Sequence, residues 1–166
     1  MLFAVVLLFA LAAVAPWFPR RIASATGWVL AAVPFALTLY FARWIGSSAL
    51  PIRVSYEWAP SLGVSLSFYL DGLSLLFALL ILGIGTLVVI YAAGYLGAHP
   101  QLGRFYAFLL LFMAAMLGVV LADNVLTLFM FWELTSISSF LLIGFSHQRS
   151  ESRKAANQAL LITGGG

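Results

Sequence analysis

Runs of apolar residues long enough to cross a bilayer dominate this sequence and constrain its fold more than any other feature. Five qualify, at 1–18, 25–45, 70–96, 105–122 and 125–145. About 20 apolar residues, with a range near 17 to 25, carry a helix through the hydrocarbon core. Inside that core backbone N–H and C=O groups find no water, so each run must satisfy its own hydrogen bonds as a helix. A sixth run starts at Ala155 and is still apolar at Gly166. Twelve residues reach only about 18 Å, so it reads as the opening of a sixth helix, and the chain as the N-terminal piece of a longer protein. The expected fold is therefore an all-α polytopic membrane protein with five transmembrane helices plus the start of a sixth.

Composition agrees. Only 8% of residues are charged and 64% are hydrophobic, with mean hydropathy +1.10, whereas soluble domains carry roughly one quarter charged residues. The eight Lys and Arg are spread along loops, which excludes the clustered basic face of a nucleic-acid binder. There are no cysteines, and His99 and His147 stand apart in loops. No cofactor, metal site or catalytic residue is expected. The Ala13-Val14-Ala15 stretch resembles a signal-cleavage site, but no positive residue precedes the apolar run and Pro16 would follow the cut. The first helix is therefore expected to be retained.

Lys and Arg counted by alternate loops set the orientation. Arg20, Arg21, Arg104, Arg149, Arg153 and Lys154 fall on one side, and Arg43 and Arg53 on the other. The richer side should be cytoplasmic, which places the N-terminus and the segment 46–69 outside. Within that segment Ile52, Val54, Tyr56 and Trp58 alternate with polar residues, as do Leu62, Val64, Leu66 and Phe68 beyond Ala59-Pro60-Ser61. Period-two alternation around such a turn predicts a short β-hairpin on the outer face. Three regions follow: two N-terminal transmembrane helices over 1–45, an external hairpin loop over 46–69, and a transmembrane bundle from 70 to 166.

One residue violates this pattern. Glu133 stands in FMFWELTSISSF, ninth in the run 125–145 and so near mid-membrane. An acid at that depth costs roughly 2.5 to 3.5 kcal/mol on insertion scales and marks ion or proton paths by default. A helical projection puts Leu126, Phe129, Met130, Ser136, Phe140 and Gly144 on its side, with Ser139 at the margin. Small and hydroxylated residues of this kind suit close helix packing, so Glu133 is expected to face a bundle. Burial disfavours the charged form of a carboxyl group and a nearby cation restores it. Arg43, near one end, is the only Lys or Arg in the five runs, so a buried basic partner would come from elsewhere. The structural alternative is an acid that only fixes packing.

Other polar residues have simpler readings. Asp71, before Gly-Leu-Ser, should cap the third helix. Asp123-Asn124 reads as a tight outer turn, though an acid at a channel mouth also attracts cations. The loop SHQRSESRK should hold helix ends near anionic headgroups, and His147 has the chemistry of a proton carrier without a spacing that requires it. Trp17, Trp28, Trp44 and Trp58 suit interfacial anchors.

Together, FYLDGLSLLFALLILGIGTLVVIYAAGYL at 68–96, GRFYAFLLLFMAAMLGVVLADN at 103–124 and the stretch 125–166 containing FWELTSISSFLLIGF resemble the A subunit of Mrp-type multisubunit Na+/H+ antiporters. The antiporter-like subunits of respiratory complex I share the DGLS region and the mid-helix glutamate. The resemblance implies that Glu133 matches the family's essential fifth-helix glutamate, which works with a lysine on a later, broken helix in a proton half-channel. It also implies a heteromeric complex with other Mrp subunits in the cell inner membrane, exchanging external protons for internal Na+ or K+. The alternative function is a proton-pumping subunit, of chain 5 type, in NADH-quinone oxidoreductase or a membrane-bound hydrogenase. Electron transfer would then reside in partners, because this chain has no Cys ligands and no G-x-G-x-x-G loop.

Overall fold

In the computed structural model, residues 1–17, 23–59, 64–97, 99–146 and 150–164 are described. Among these described residues six α-helices and one two-stranded sheet follow in the order α1 (Leu2–Val14), α2 (Ala23–Ala42), β1 (Ile52–Ala59), β2 (Val64–Leu70), α3 (Gly72–Leu96), α4 (Leu102–Leu121), α5 (Val125–Ile143) and α6 (Ser150–Gly164). Four stretches, Ala25–Ala42 within α2 and the whole of α3, α4 and α5, are long and apolar enough to cross a membrane. The first expected span is shorter: α1 tightens into a 3₁₀ turn over Ala15–Trp17, giving an apolar helix from Leu2 to Trp17. Pro16 lies in that turn and has no N–H with which to continue a helix. The sixth helix begins earlier than the apolar run, at Ser150, because Glu, Arg, Lys and Ala are good helix formers whatever their polarity.

α4 is the central helix, packed against α1, α3 and α5, while α2 lies on α3 and α6 on α5. Half of its span is buried, against 22% for α5. Leu110, Leu117 and Leu121 of α4 are fully buried with Leu8 of α1 and Leu82 of α3. Small residues let these helices approach closely. A Cβ on Gly118 would collide with the ring of Phe131, and one on Gly85 with the Met113 side chain, so these glycines interlock α4 with α5 and α3 with α4. Pro34 interrupts α2 without ending it, and the Thr38 hydroxyl donates to the Pro34 carbonyl at 2.8 Å. Outward-facing Leu73, Leu76, Leu80, Ile84 and Leu87 of α3 are exposed, an apolar stripe at helical spacing.

The hairpin matches its predicted alternation. β1 and β2 pair antiparallel, Ile52 opposite Leu70 and Ser55 opposite Ser67, with a bulge between Glu57 and Ala59. Of the expected turn Ala59 ends β1, while Pro60 and Ser61, with Leu62 and Gly63 of the expected alternation, lie outside the described set. Phe68 and Leu70 are buried, and the Phe68 ring lies 6.1 Å from that of Phe131, so the apolar face of the sheet covers one end of the bundle. Asp71 then caps α3: its carboxylate accepts from the Ser74 N–H at 2.8 Å, and the Ser74 hydroxyl accepts from the Asp71 N–H at 2.8 Å. This reciprocal box satisfies two otherwise unpaired donors.

Candidate functional site

α5 is fixed at its start by a polar clamp between the hairpin and the α4–α5 turn. Asn124 caps the helix, its Oδ1 accepting from the Thr127 N–H at 2.7 Å while its Nδ2 donates to the Ser65 carbonyl at 2.8 Å. The Asp123 N–H donates to the Ser67 carbonyl at 2.9 Å, and the Ser67 N–H donates to the Thr127 hydroxyl at 3.2 Å. Arg53 of β1 reaches Asp123 at 2.9 Å. The turn expected at Asp123-Asn124 is therefore a tied joint. Fixing Val125 there sets the depth of every residue along α5. Glu133, eight residues on, lies about 12 Å further down the axis.

Glu133 is half-buried. Of its expected face, Ser136 is buried while Leu126 and Phe129 are 50% and 60% exposed, so the face packs inward only in its C-terminal part. Thr135, Ser136 and Ser139 line a cleft of ≈ 320 Å³ between α5 and α4, with Trp132, Phe112 and Met116. Glu133 stands beside this lining in sequence and does not itself contribute to it. The hydroxyls serve their own helix: Thr135 and Ser136 donate to the Trp132 carbonyl at 2.6 and 3.3 Å, and Ser138 to the Leu134 carbonyl at 2.7 Å. Among the described residues no cation, amide or hydroxyl pairs with the Glu133 carboxylate, and the ion pair present is Arg53–Asp123.

The remaining candidates are structural where they are described. Asp71 is held below the ordinary carboxylate range, first by the Ser74 N–H and then by the Ser74 hydroxyl. Trp17, Trp28 and Trp58 are exposed and Trp44 half-buried, and the Arg43 guanidinium lies over the rings of Tyr40 and Trp44. Arg20, Arg21, His147 and Arg149 fall outside the described residues. The clamp is what sequence reasoning missed. Asn124 and Thr127 meet Ser65 and Ser67 from about 60 residues away, and the readable signal was limited to a capping residue type just before an apolar run.

Two family models match the chain. Residues 58–106 match "NADH-Ubiquinone oxidoreductase (complex I), chain 5 N-terminus" and residues 122–166, which contain Glu133, match "NADH:quinone oxidoreductase/Mrp antiporter, TM". Over 139 residues, 82% of this chain, it is 50% identical to Na(+)/H(+) antiporter subunit A1 of Staphylococcus haemolyticus and 51% identical to the same subunit of Staphylococcus aureus. The matched region spans 17% of the length of each relative. Among solved structures, a chain of the Mrp complex from a Dietzia species superposes with TM-score 0.85 at 38% identity, over 96% of this chain and 17% of that one. A chain of an archaeal membrane-bound sulfane sulfur reductase superposes with TM-score 0.68 at 18% identity, over 95% of this chain and 33% of that one. This second likeness speaks for the fold alone.

Proposed function

Because this chain belongs to the family of A subunits of Mrp-type antiporters, we propose that it is a membrane subunit of a multisubunit Na+ or K+/proton antiporter. Its partners are the other subunits of that complex and the surrounding bilayer. Its part in the exchange is to contribute Glu133 to the proton path. One observation carries this reading: a carboxylate about 12 Å into α5, half-buried, next in sequence to Trp132, Thr135 and Ser136 of a largely apolar cleft, and without an ion-pair partner among the described residues. In a low-dielectric site desolvation favours a neutral carboxyl group and an approaching cation favours the charged one. A basic group from elsewhere in the assembly that approaches and withdraws would therefore unload and reload a proton at Glu133.

The placement follows from charge. By sequence the end away from the hairpin carries Arg20, Arg21, Arg104, Arg149, Arg153 and Lys154 against Glu151, while the hairpin end carries Arg43 and Arg53 against Glu57, Asp71 and Asp123. The positive-inside rule puts the first end in the cytoplasm and both the hairpin and Met1 outside. α1 then crosses with α2 to α5, its apolar length of about 24 Å matched by local thinning. The helices before residue 46 flank the antiporter-like bundle that starts at residue 70.

The test is exchange in vesicles containing the complete complex. Glu133→Gln keeps shape and hydrogen-bonding capacity while losing the proton. It should assemble normally yet lower proton/cation exchange by about 10²-fold, the lower end for a positioned proton-transfer group. Unchanged exchange with intact assembly would leave Glu133 a packing residue. The match of residues 58–106 to the complex I chain 5 description supports a second reading, a proton-pumping subunit of an NADH-quinone oxidoreductase or hydrogenase. Adjacent genes for flavin or iron–sulfur subunits would favour it, and adjacent genes for six small membrane subunits would favour the antiporter.

A further inference from the structure

At the end of the bundle away from the hairpin, α4, α5 and α6 leave a second cleft, of ≈ 300 Å³. Its rim carries Arg104, the third residue of α4, and Asn157 of α6, both exposed. Its wall is apolar, built by Phe108, Phe140 and Leu141, and Ala156 closes it against Gly144, whose Cβ position lies 3.5 Å away. The Arg104 guanidinium sits 5.6 Å over the Phe108 ring, and among the described side chains, which do not include that of Glu151, no carboxylate pairs with it. Lys154, also exposed, lies one turn before Asn157, on the neighbouring part of the α6 surface.

We propose that this cleft binds one anionic phospholipid, with the headgroup phosphate on Arg104 and Asn157 and an acyl chain along Phe108, Phe140 and Leu141. A guanidinium fork matches phosphate oxygens in shape as well as charge. The polarity also runs in the required direction: Arg104 lies near the helix end, and Phe108, about 6 Å further along α4, begins the apolar wall. A phospholipid has that sequence of charge and then hydrocarbon, and inorganic phosphate lacks the second half. Basic clefts between helices on the positively charged side of a membrane protein suit anionic headgroups, and this end carries the excess of Lys and Arg.

The experiment is native mass spectrometry of the complete complex after reconstitution in nanodiscs of phosphatidylcholine mixed with phosphatidylglycerol. The wild type should retain phosphatidylglycerol in preference to phosphatidylcholine. Arg104→Gln should cut that preference about fivefold, the weight of one basic residue at an anionic surface. Arg104→Lys should keep part of it, and Asn157→Ala, which leaves the charge in place, should weaken it in the same direction. Added inorganic phosphate should not displace the lipid. Preference unchanged in both Arg104→Gln and Asn157→Ala would overturn the proposal, as would displacement by inorganic phosphate or equal retention of phosphatidylcholine by the wild type. Should Arg104→Gln fail to assemble, Asn157→Ala and Arg104→Lys decide the question.

Discussion

At the hairpin end of the bundle Asp71 is locked in a reciprocal box with Ser74 and Asp123 is paired with Arg53. Halfway along α5 the surroundings are different: Phe131 interlocks with Gly118, the hydroxyls bond to their own helix, and the Glu133 carboxylate has no partner among the described residues. The first region uses its acids to build structure, since each satisfies helix N–H groups or a cation near water at modest cost. The second is held by apolar packing, and at the membrane depth proposed for it an acid would cost about 2.5 to 3.5 kcal/mol without a described contact in return. That contrast separates structural carboxylates from the one assigned to transport.

The contrast breaks down if the two regions respond alike to substitution. The largest expected stability effect is from Gly118→Val, whose side chain would drive into the Phe131 ring. Overpacking of this kind costs about 1 to 3 kcal/mol, and a thermal unfolding midpoint in detergent would report it. Asn124→Ala removes both the α5 cap and the donor to Ser65, and should cost about 0.5 to 2 kcal/mol while leaving exchange per assembled complex unchanged. A loss of exchange without loss of stability would instead assign the clamp a transport role.

Asp71→Ala should cost about 1 kcal/mol through its cap. The pH dependence sharpens this assignment. Hydrogen bonds from Ser74 lower the Asp71 pKa in the folded state, so its contribution is complete above the unfolded value and is lost as pH falls through the folded one. Asp71→Asn keeps the capping acceptor and should flatten that acid-side loss in a series of unfolding midpoints against pH. Arg53→Ala should have the smallest effect, below about 1 kcal/mol and weaker still at high salt, because Arg53 is 67% exposed.

Much of this was legible in the chain. The alternation of Val64, Leu66 and Phe68 with Ser65 and Ser67 specified a two-sided strand, and Asp71 before Gly-Leu-Ser specified a helix start, although Leu70, read as the first residue of the apolar run, ends the strand instead. Each signal is local, a period or a cap. The joining of Asp123 to Arg53 and of Asn124 to Ser65 was not legible, because it depends on how the hairpin folds back over α4 and α5. The start of α6 was misplaced for a different reason: the apolar run marks what enters a membrane, whereas a helix continues through Ser150 to Lys154 on propensity alone. The depth of Glu133 could be counted along one helix. Its exposure could not, since the neighbours of Leu126 and Phe129 are set by other elements.

Transport as proposed requires Glu133 to gain and lose a proton within the membrane. Infrared difference spectroscopy of the complete complex across a pH step, comparing wild type with Glu133→Gln, observes this directly. A protonated-carboxyl band that changes with pH in the wild type and is missing in Glu133→Gln is the predicted result. Identical difference spectra for the two proteins, with exchange active in the wild type, would contradict the account.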